Sequence, residues 1–475
     1  MSPMSKKLVL GVAVSLPAIA AASCSVGPDY AKPSTDIPST FRAQVSAGEA
    51  SSLADLTWWS LYNDPQLEAL VSEALAHNYD LQLAVARIEQ ARALVGVAKS
   101  QAFPQVGYEG FVGGEQAFIP QQNIETQSYG FVGAVIDATW EFDLWGRIRR
   151  STEAAEANLL AQEYARRGVR LTLVSDVAAG YFRLLELDRQ LAISRDSFGA
   201  YGKTFDLFTL RFEAGRDNKL PVDRAQAARD SSTASIEAVT REIAQQENAL
   251  SILVGANPRQ IARGQPLTAQ TLPPTAVGAT SDLLQRRPDI LQAEQSMIAA
   301  NAEIGVAVAN YFPRIGLSAF IGGQGVDLED DSGSFGIWNI ALSAAGPIFT
   351  GGRLDSVYRS RQAYWDETVA QYRKTVLGAF REVSDALIAQ QTLERRRIAL
   401  QRQVAALESS VDLALTRYDG GRASYFEVLE AQQELYPAQS ALAQTQLDQL
   451  LATVALYKAL GGGWRATDAE WLQPQ

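Results

Sequence analysis

The chain has 475 residues, enough for about three ordinary domains, and its 47% hydrophobic and 20% charged content excludes extensive disorder. It carries 42 Lys and Arg against 53 Asp and Glu, a net charge of -11 that, with no dense basic patch, argues against nucleic-acid binding. One cysteine and one histidine leave no intrachain disulfide and almost no room for a His/Cys metal site or for Ser–His or Cys–His catalysis, so no enzyme activity, metal or cofactor is expected.

Residues 1–23 read as a secretory signal. Lys6 and Lys7 supply the positive region, and Leu8 to Ala22 an apolar stretch too short to span a bilayer stably. Cys24 follows Ala21-Ala22-Ser23. Small residues before a lone cysteine resemble a bacterial lipoprotein signal, in which the cysteine becomes the lipidated N-terminus. Ser25 comes next, so no aspartate resembles an inner-membrane retention signal. An ordinary cleaved signal with an incidental cysteine is the alternative. Residues 24–65, rich in Pro, Ser and Ala, read as an extended tether bearing that lipid. The run Trp58-Trp59-Ser60-Leu61-Tyr62-Asn63-Asp64-Pro65-Gln66-Leu67 ends it, with Asp64 placed to cap a helix and Pro65 at its first position.

From there the chain reads as a tandem duplication. The first repeat, 66–261, holds helices 66–77 and 80–103, strands 105–118 and 129–142, a long helix 147–212 and a return helix 221–255. A Pro/Gly/Thr-rich linker covers 262–287. The second repeat, 288–461, holds helix 289–312, strands 314–326 and 335–349, a long helix 353–418 and a return helix 425–460; a tail, 462–475, follows. The copies share Phe-Pro stops (Phe103-Pro104, Phe312-Pro313), Gly-Arg entries to the long helices (Gly146-Arg147, Gly352-Arg353) and Gly-Arg exits (Gly215-Arg216, Gly421-Arg422). A unit of roughly 200 residues is far longer than a solenoid repeat, so the two copies belong side by side about a pseudo-axis.

A helix of about 65 residues is roughly 100 Å long, too long for a globular core, so the long helices are staves. Each carries seven-residue seams: Val177, Leu184, Leu191, Phe198, Phe205 and Phe212 in the first; Tyr372, Ala379, Ala386, Leu393, Leu400, Leu407 and Ala414 in the second. A return helix placed end to end with a short helix nearly equals one stave. Pro437 is expected to kink the second return helix; its counterpart in the first is Ser231. In the strands, Val132, Ala134, Ile136, Ala138, Trp140 and Phe142 share one face, and Ile315, Leu317, Ala319 and Ile321 another such row, the dyad pattern of an outer-membrane strand. An ordinary half-buried sheet shows the same alternation; the attachment to such long helices favours the membrane reading. Four strands cannot close a barrel, and an open edge in lipid leaves backbone groups unpaired, so the chain must oligomerise. Three copies of four strands make twelve, which leaves room for a lumen.

These features, with Val26-Gly27-Pro28-Asp29-Tyr30 and the segment Gly420-Gly421-Arg422-Ala423-Ser424-Tyr425-Phe426-Glu427-Val428-Leu429-Glu430-Ala431-Gln432, resemble the TolC-like outer-membrane efflux family, in the lipoprotein branch serving resistance–nodulation–division (RND) pumps. The resemblance implies a mixed α/β membrane fold: a trimeric twelve-stranded β-barrel continuous with a twelve-stave periplasmic α-helical barrel. It implies a passive exit duct for small toxic compounds, anchored in the outer membrane by lipid on Cys24. The implied partners are two further copies, a periplasmic adaptor and an inner-membrane RND transporter. By resemblance Glu427 and Glu430 occupy acidic constriction positions and Tyr418 a closed-state tyrosine. The family arginine just beyond the tip glycine falls at Ala423, with Arg422 next door. Asp223 is a lesser gate candidate. Gly215, Arg216, Gly421 and Arg422 are the expected adaptor-docking tips. First-turn acids and helix-capping glycines account for the same residues without a gate. A type I secretion duct shares the fold, and a non-transporting coiled-coil envelope protein is the alternative from another class.

Overall fold

In the computed structural model the described residues are 25–43, 62–119, 124–272, 280, 283–328 and 331–462. Cys24, the signal and residues 58–61 lie outside them, as does the tail beyond residue 462. The helices are α1 (Pro65–His77), α2 (Tyr79–Ser100), α3 (Arg147–Glu213), α4 (Leu220–Leu253), α5 (Leu283–Arg286), α6 (Pro288–Ala309), α7 (Arg353–Asp419) and α8 (Tyr425–Ala459). The strands are β1 (Gln105–Ile119), β2 (Ile124–Phe142), β3 (Arg314–Leu328) and β4 (Asp331–Ala345). Their contacts define two compact units that cut across the repeats. One gathers residues up to Tyr30, Leu94–Ala155 and Ala299–Tyr364; the other gathers Ala31–Ala93, Glu156–Ile298 and Trp365 onward.

The first unit is built on an antiparallel sheet in the order β1-β2-β3-β4, with β1 and β4 at its edges. Directly opposed residues share a face. Ile136 pairs with Tyr108 and Ile321, and Ile321 with Trp338. All four are exposed, so the apolar face of the sheet is bare in the single chain. The opposite face carries Glu109, Asp137 and Ser318. The strands differ from expectation at their ends. The ladder continues past Tyr129 to Ile124, opposite Ile119, because backbone pairing needs no apolar side chain. β4 runs from Asp331 to Ala345 rather than over 335–349. Pro347 has no N–H for the ladder, and Gly346 abuts Pro313. The short helices stop earlier than 103 and 312. Their last turns tighten to three-residue bonds (Phe103 N to Ser100 O, 3.1 Å; Phe312 N to Ala309 O, 3.1 Å) because the residue before proline is driven out of the helical region.

The proline-rich segment is extended but is no free tether. In the first unit Val26 N donates to Trp145 O, Asn301 Nδ2 donates to Pro28 O at 2.9 Å, and Asp29 pairs with the buried Arg150 at 2.8 Å. Gly27 has φ +99° and lies so close to Gly305 that a Cβ would meet its Cα at 2.6 Å, so the approach requires glycine at 27; a Cβ on Gly305 would press instead on the Arg150 side chain at 2.9 Å. In the second unit Lys32 pairs with Glu294 at 2.7 Å, and Phe41 packs on Phe380.

The second unit holds most of α3, α4, α7 and α8. α3 and α7 have 67 residues each, about 100 Å at 1.5 Å per residue. The C-terminus of α4 meets α2, where Asn78 Nδ2 donates to Leu253 O at 3.0 Å and its Oδ1 accepts from Leu81 N. The C-terminus of α8 meets α6 through Arg287, which donates to Ala459 O at 2.9 Å. These are the stacked composite staves. Between α4 and α6, the expected linker holds a 3₁₀ turn, Leu267–Ala269, and α5. Asp64 is fully buried beside it: it caps α1 and accepts from Tyr181 Oη at 2.9 Å, Gln265 N and Gln270 Nε2.

Along α7 the expected seam is buried or half-buried throughout. Along α3 it is buried at Val177 and Leu184 and half-buried at Leu191 and Phe205, but it is broken between and beyond those last two. Phe198 and Phe212 are exposed, and Tyr201, Thr204 and Phe208 line the core instead. A straight helix drifts about 20° per heptad from a strict seven-residue repeat, enough over several heptads to turn the row outward.

Candidate gate and docking site at the helix tips

Both long helices end in the same motif. Gly215 N donates to Phe212 O at 2.9 Å and Arg216 N to Arg211 O at 2.9 Å; Gly421 N donates to Tyr418 O at 2.9 Å and Arg422 N to Arg417 O at 2.8 Å. Gly215 and Gly421 have φ +67° and +68°, the left-handed step that a Schellman cap requires. Nothing crowds either glycine, so the constraint is backbone conformation rather than space. Arg216 and Arg422 are exposed just beyond, at the turns.

Behind the turns, α3, α4, α7 and α8 converge on one apolar cluster: Tyr201, Phe208, Val222, Ala225, Ala414, Tyr425, Val428 and Leu429, with Tyr418 and Tyr436 at its margin. The Tyr425 ring stands edge-on to Phe208 (5.0 Å, 89°) and to Tyr418 (4.9 Å, 86°), the arrangement favoured by aromatic quadrupoles. The Tyr425 hydroxyl bonds the Thr204 hydroxyl of α3. Burial raises the Tyr425 and Tyr436 phenols above their ordinary range, and pushes Tyr201 up to about 12. These groups are neutral hydrogen-bonding phenols at any physiological pH.

Tyr418 is held across the repeats. Its hydroxyl accepts from Arg211 Nη1 at 2.7 Å, and the same guanidinium pairs with Asp217 at 2.8 Å. Arg422, adjacent to the position where the family arginine would fall, is exposed, and the tyrosine is bound by the first repeat's Arg211 instead. Glu427 is half-buried and pairs with Arg417 at 3.5 Å. Glu430, one turn on, is exposed. Asp223 is exposed on α4 and pairs with Lys219 at 3.4 Å. Thus Tyr418 packs at the margin of the tip cluster and Glu427 pairs back to α7 beside it, whereas Glu430 and Asp223 are exposed. Arg211, Asp217 and Thr204 are site residues that the sequence reading missed. Aligning the copies at the tips would have offered one signal: Tyr418 stands opposite Phe212, so only the second copy has a hydroxyl to satisfy.

The arrangement suits a packing switch, since it contains buried phenols, two cross-repeat hydrogen bonds and two acids beside an open turn. A family profile described as "Outer membrane efflux protein" matches residues 70–256 and 279–462. The chain belongs to the outer membrane efflux protein family. Within it, the chain is 35% identical over 454 residues to the solvent efflux pump outer membrane protein SrpC of Pseudomonas putida, covering 93% of this chain and 96% of that one. It is 32% identical over 453 residues to the cation efflux system protein CusC of Escherichia coli K12, covering 94% and 98%. Among solved structures it superposes on the open state of the Neisseria gonorrhoeae MtrE outer membrane channel with a TM-score of 0.80 at 28% identity, over 93% of this chain and 98% of that one. The efflux family accounts for the duplicated strand-and-stave plan, and it places the chain in the outer membrane.

Proposed function

We propose that the chain is the passive outer-membrane exit duct of a tripartite efflux system, with no chemistry and no cofactor of its own. One observation carries this reading: a four-stranded sheet with two open edges and a bare apolar face, continuous in sequence with helices of about 100 Å. In lipid, unpaired edges cost several kcal/mol per backbone group. Closure by three copies removes the edges and yields twelve strands and, counting each composite stave once, twelve staves. Lipid on Cys24 anchors the segment clipped along residues 25–43. The Gly215-Arg216 and Gly421-Arg422 turns dock a periplasmic adaptor, which links the duct to an inner-membrane RND-type transporter. Tyr418 holds the gate, and Glu427 and Glu430, repeated three times about the axis, form acidic rings that favour cations; Asp223 lies at the periphery.

The test is reconstitution of the purified chain in planar bilayers. Wild type is expected to form a cation-preferring channel blocked by divalent ions, and a Glu427→Gln/Glu430→Gln variant to lose both properties. A wild type that never conducts overturns the duct. Unchanged preference and block in the variant overturn the gate.

A further inference from the structure

Helix α8 consists of two arms joined at Pro437, and the helix passes through the proline without ending. Proline has no N–H and its ring crowds the carbonyl four residues back, so the turn from Gln433 to Pro437 lacks its backbone bond. Beyond the proline the helix is fixed: Gln190 Nε2 donates to Ser440 O at 3.3 Å, and Gln439 Nε2 to Glu408 Oε1 at 3.1 Å. Before it, the arm 425–436 buries Tyr425, Val428 and Leu429 in the tip cluster and Leu435 against Val404, and adds the Tyr201–Tyr436 contact (5.7 Å, 78°) and the bond between Tyr425 and Thr204.

Beside the incomplete turn lies a groove of about 670 Å³ that both Gln433 and Pro437 line. Along α4 its wall is made of the small side chains Ala227, Ala228, Ser231, Ser232 and Ser235, with Arg224 at the tip end lying over the Phe426 ring at 5.4 Å. Ser232 and Ser235 turn their hydroxyls back onto the α4 carbonyls of Ala228 and Ser231, so they project little into the space. The corresponding position in α4 is Ser231 itself, and α4 keeps its full complement of donors there.

We propose that Pro437 is the pivot of the gate: on opening, the arm 425–436 swings about it into the groove against α4. The swing breaks no backbone bond from Pro437, because the proline has already removed it, and on α4 it meets small side chains everywhere except at Arg224, which must slide along the Phe426 ring. This rests on the duct reading above, with Tyr418 and Tyr425 as the contacts that release.

The experiment compares single-channel opening of the purified full chain in planar bilayers, without adaptor or pump, for wild type, Pro437→Ala, Ser231→Leu/Ser235→Leu and Arg211→Ala. Restoring one helix hydrogen bond in Pro437→Ala is expected to cut the opening frequency by about fivefold. The leucine pair, which fills the groove, cuts it as well, and Arg211→Ala raises it. As a second measurement, a spin label at Glu430→Cys in a Cys24→Ser background, which removes the chain's only cysteine, reports distances between copies. The wild-type distribution is broader than that of Pro437→Ala. If Arg211→Ala responds while Pro437→Ala and the leucine pair open as wild type with unchanged label distances, a gate exists and the pivot is wrong. A wild type with no channel overturns the duct and the pivot together.

Discussion

The two return helices are copies with opposite fates. α8 buries side chains along its whole length, from Tyr425 and Val428 to Leu456 and Ala459, whereas α4 is buried at its ends and at Ser232. Yet both leave their tips through the same Schellman turns, and both close their far ends on a left-handed glycine, Gly255 (φ +74°) and Gly461 (φ +73°). Duplication has therefore preserved the backbone punctuation while burial diverged. Leu435 of α8 stands where α4 has Arg229, and Leu447 where it has Arg241.

The largest effect should separate the copies at such a pair. Leu447→Ala removes a fully buried side chain and should cost about 2–5 kcal/mol, whereas Arg241→Ala, on the exposed face, should stay within about 0.5 kcal/mol. Urea unfolding followed by helical circular dichroism decides it; equal losses would break the comparison. A second asymmetry lies on the long helices. Glu186 is buried on α3, where its counterpart on α7 is the exposed Thr392. Burial raises the Glu186 carboxyl above its ordinary 4.5, with Glu242 and Asp448 nearby adding to the rise and Gln190 and Arg183 opposing it. The folded state thus binds a proton that the unfolded chain has released, so this residue's contribution to stability falls as pH rises from about 4.5 through the raised value. Glu186→Gln should stabilise the protein at neutral pH and flatten that dependence in melts taken across the window.

Smaller effects should show the copies behaving alike. Gly215→Ala and Gly421→Ala each force a side chain into the left-handed region at about 1–2 kcal/mol, and hydrogen exchange in the last turns of α3 and α7 should rise equally. Tyr418→Phe should cost about 1 kcal/mol by removing the acceptor for Arg211, and should open the channel more often in bilayers. Least of all, breaking the exposed Arg417–Glu427 pair with Glu427→Gln should alter stability by no more than about 1 kcal/mol, so any large change in ion preference would come from charge in the pore.

The plan of the fold was legible because its signals are local and repeated. Phe-Pro stops, Gly-Arg tips and a two-residue strand period each act within a few residues, and each occurs twice. The drift of the α3 seam was not, because a heptad row stays in the core only when a partner helix supercoils with it, and Phe198 and Phe212 do not reveal where that partner lies. The Arg211–Tyr418 bond was not, because its ends are far apart in sequence: Tyr418 stands out against Phe212 of the first copy, but nothing local marks Arg211 as its partner. Nor was the docking of residues 25–43, whose composition is that of a linker. What holds its start is Gly27 against Gly305 of the second repeat and Asp29 on Arg150 of the first, so the full set of contacts exists only once both repeats are in place.

That clipped segment also orders events in time. It leaves the ribosome before either repeat, yet Asp29 must wait for Arg150, Pro28 for Asn301, and Ala43 for Gln391, bonds closing loops with sequence separations of 121, 273 and 348 residues. Such closures come late in folding. Residues 25–43 are therefore among the last to be seated, and a protomer whose second repeat has failed to fold betrays itself by a loose segment there.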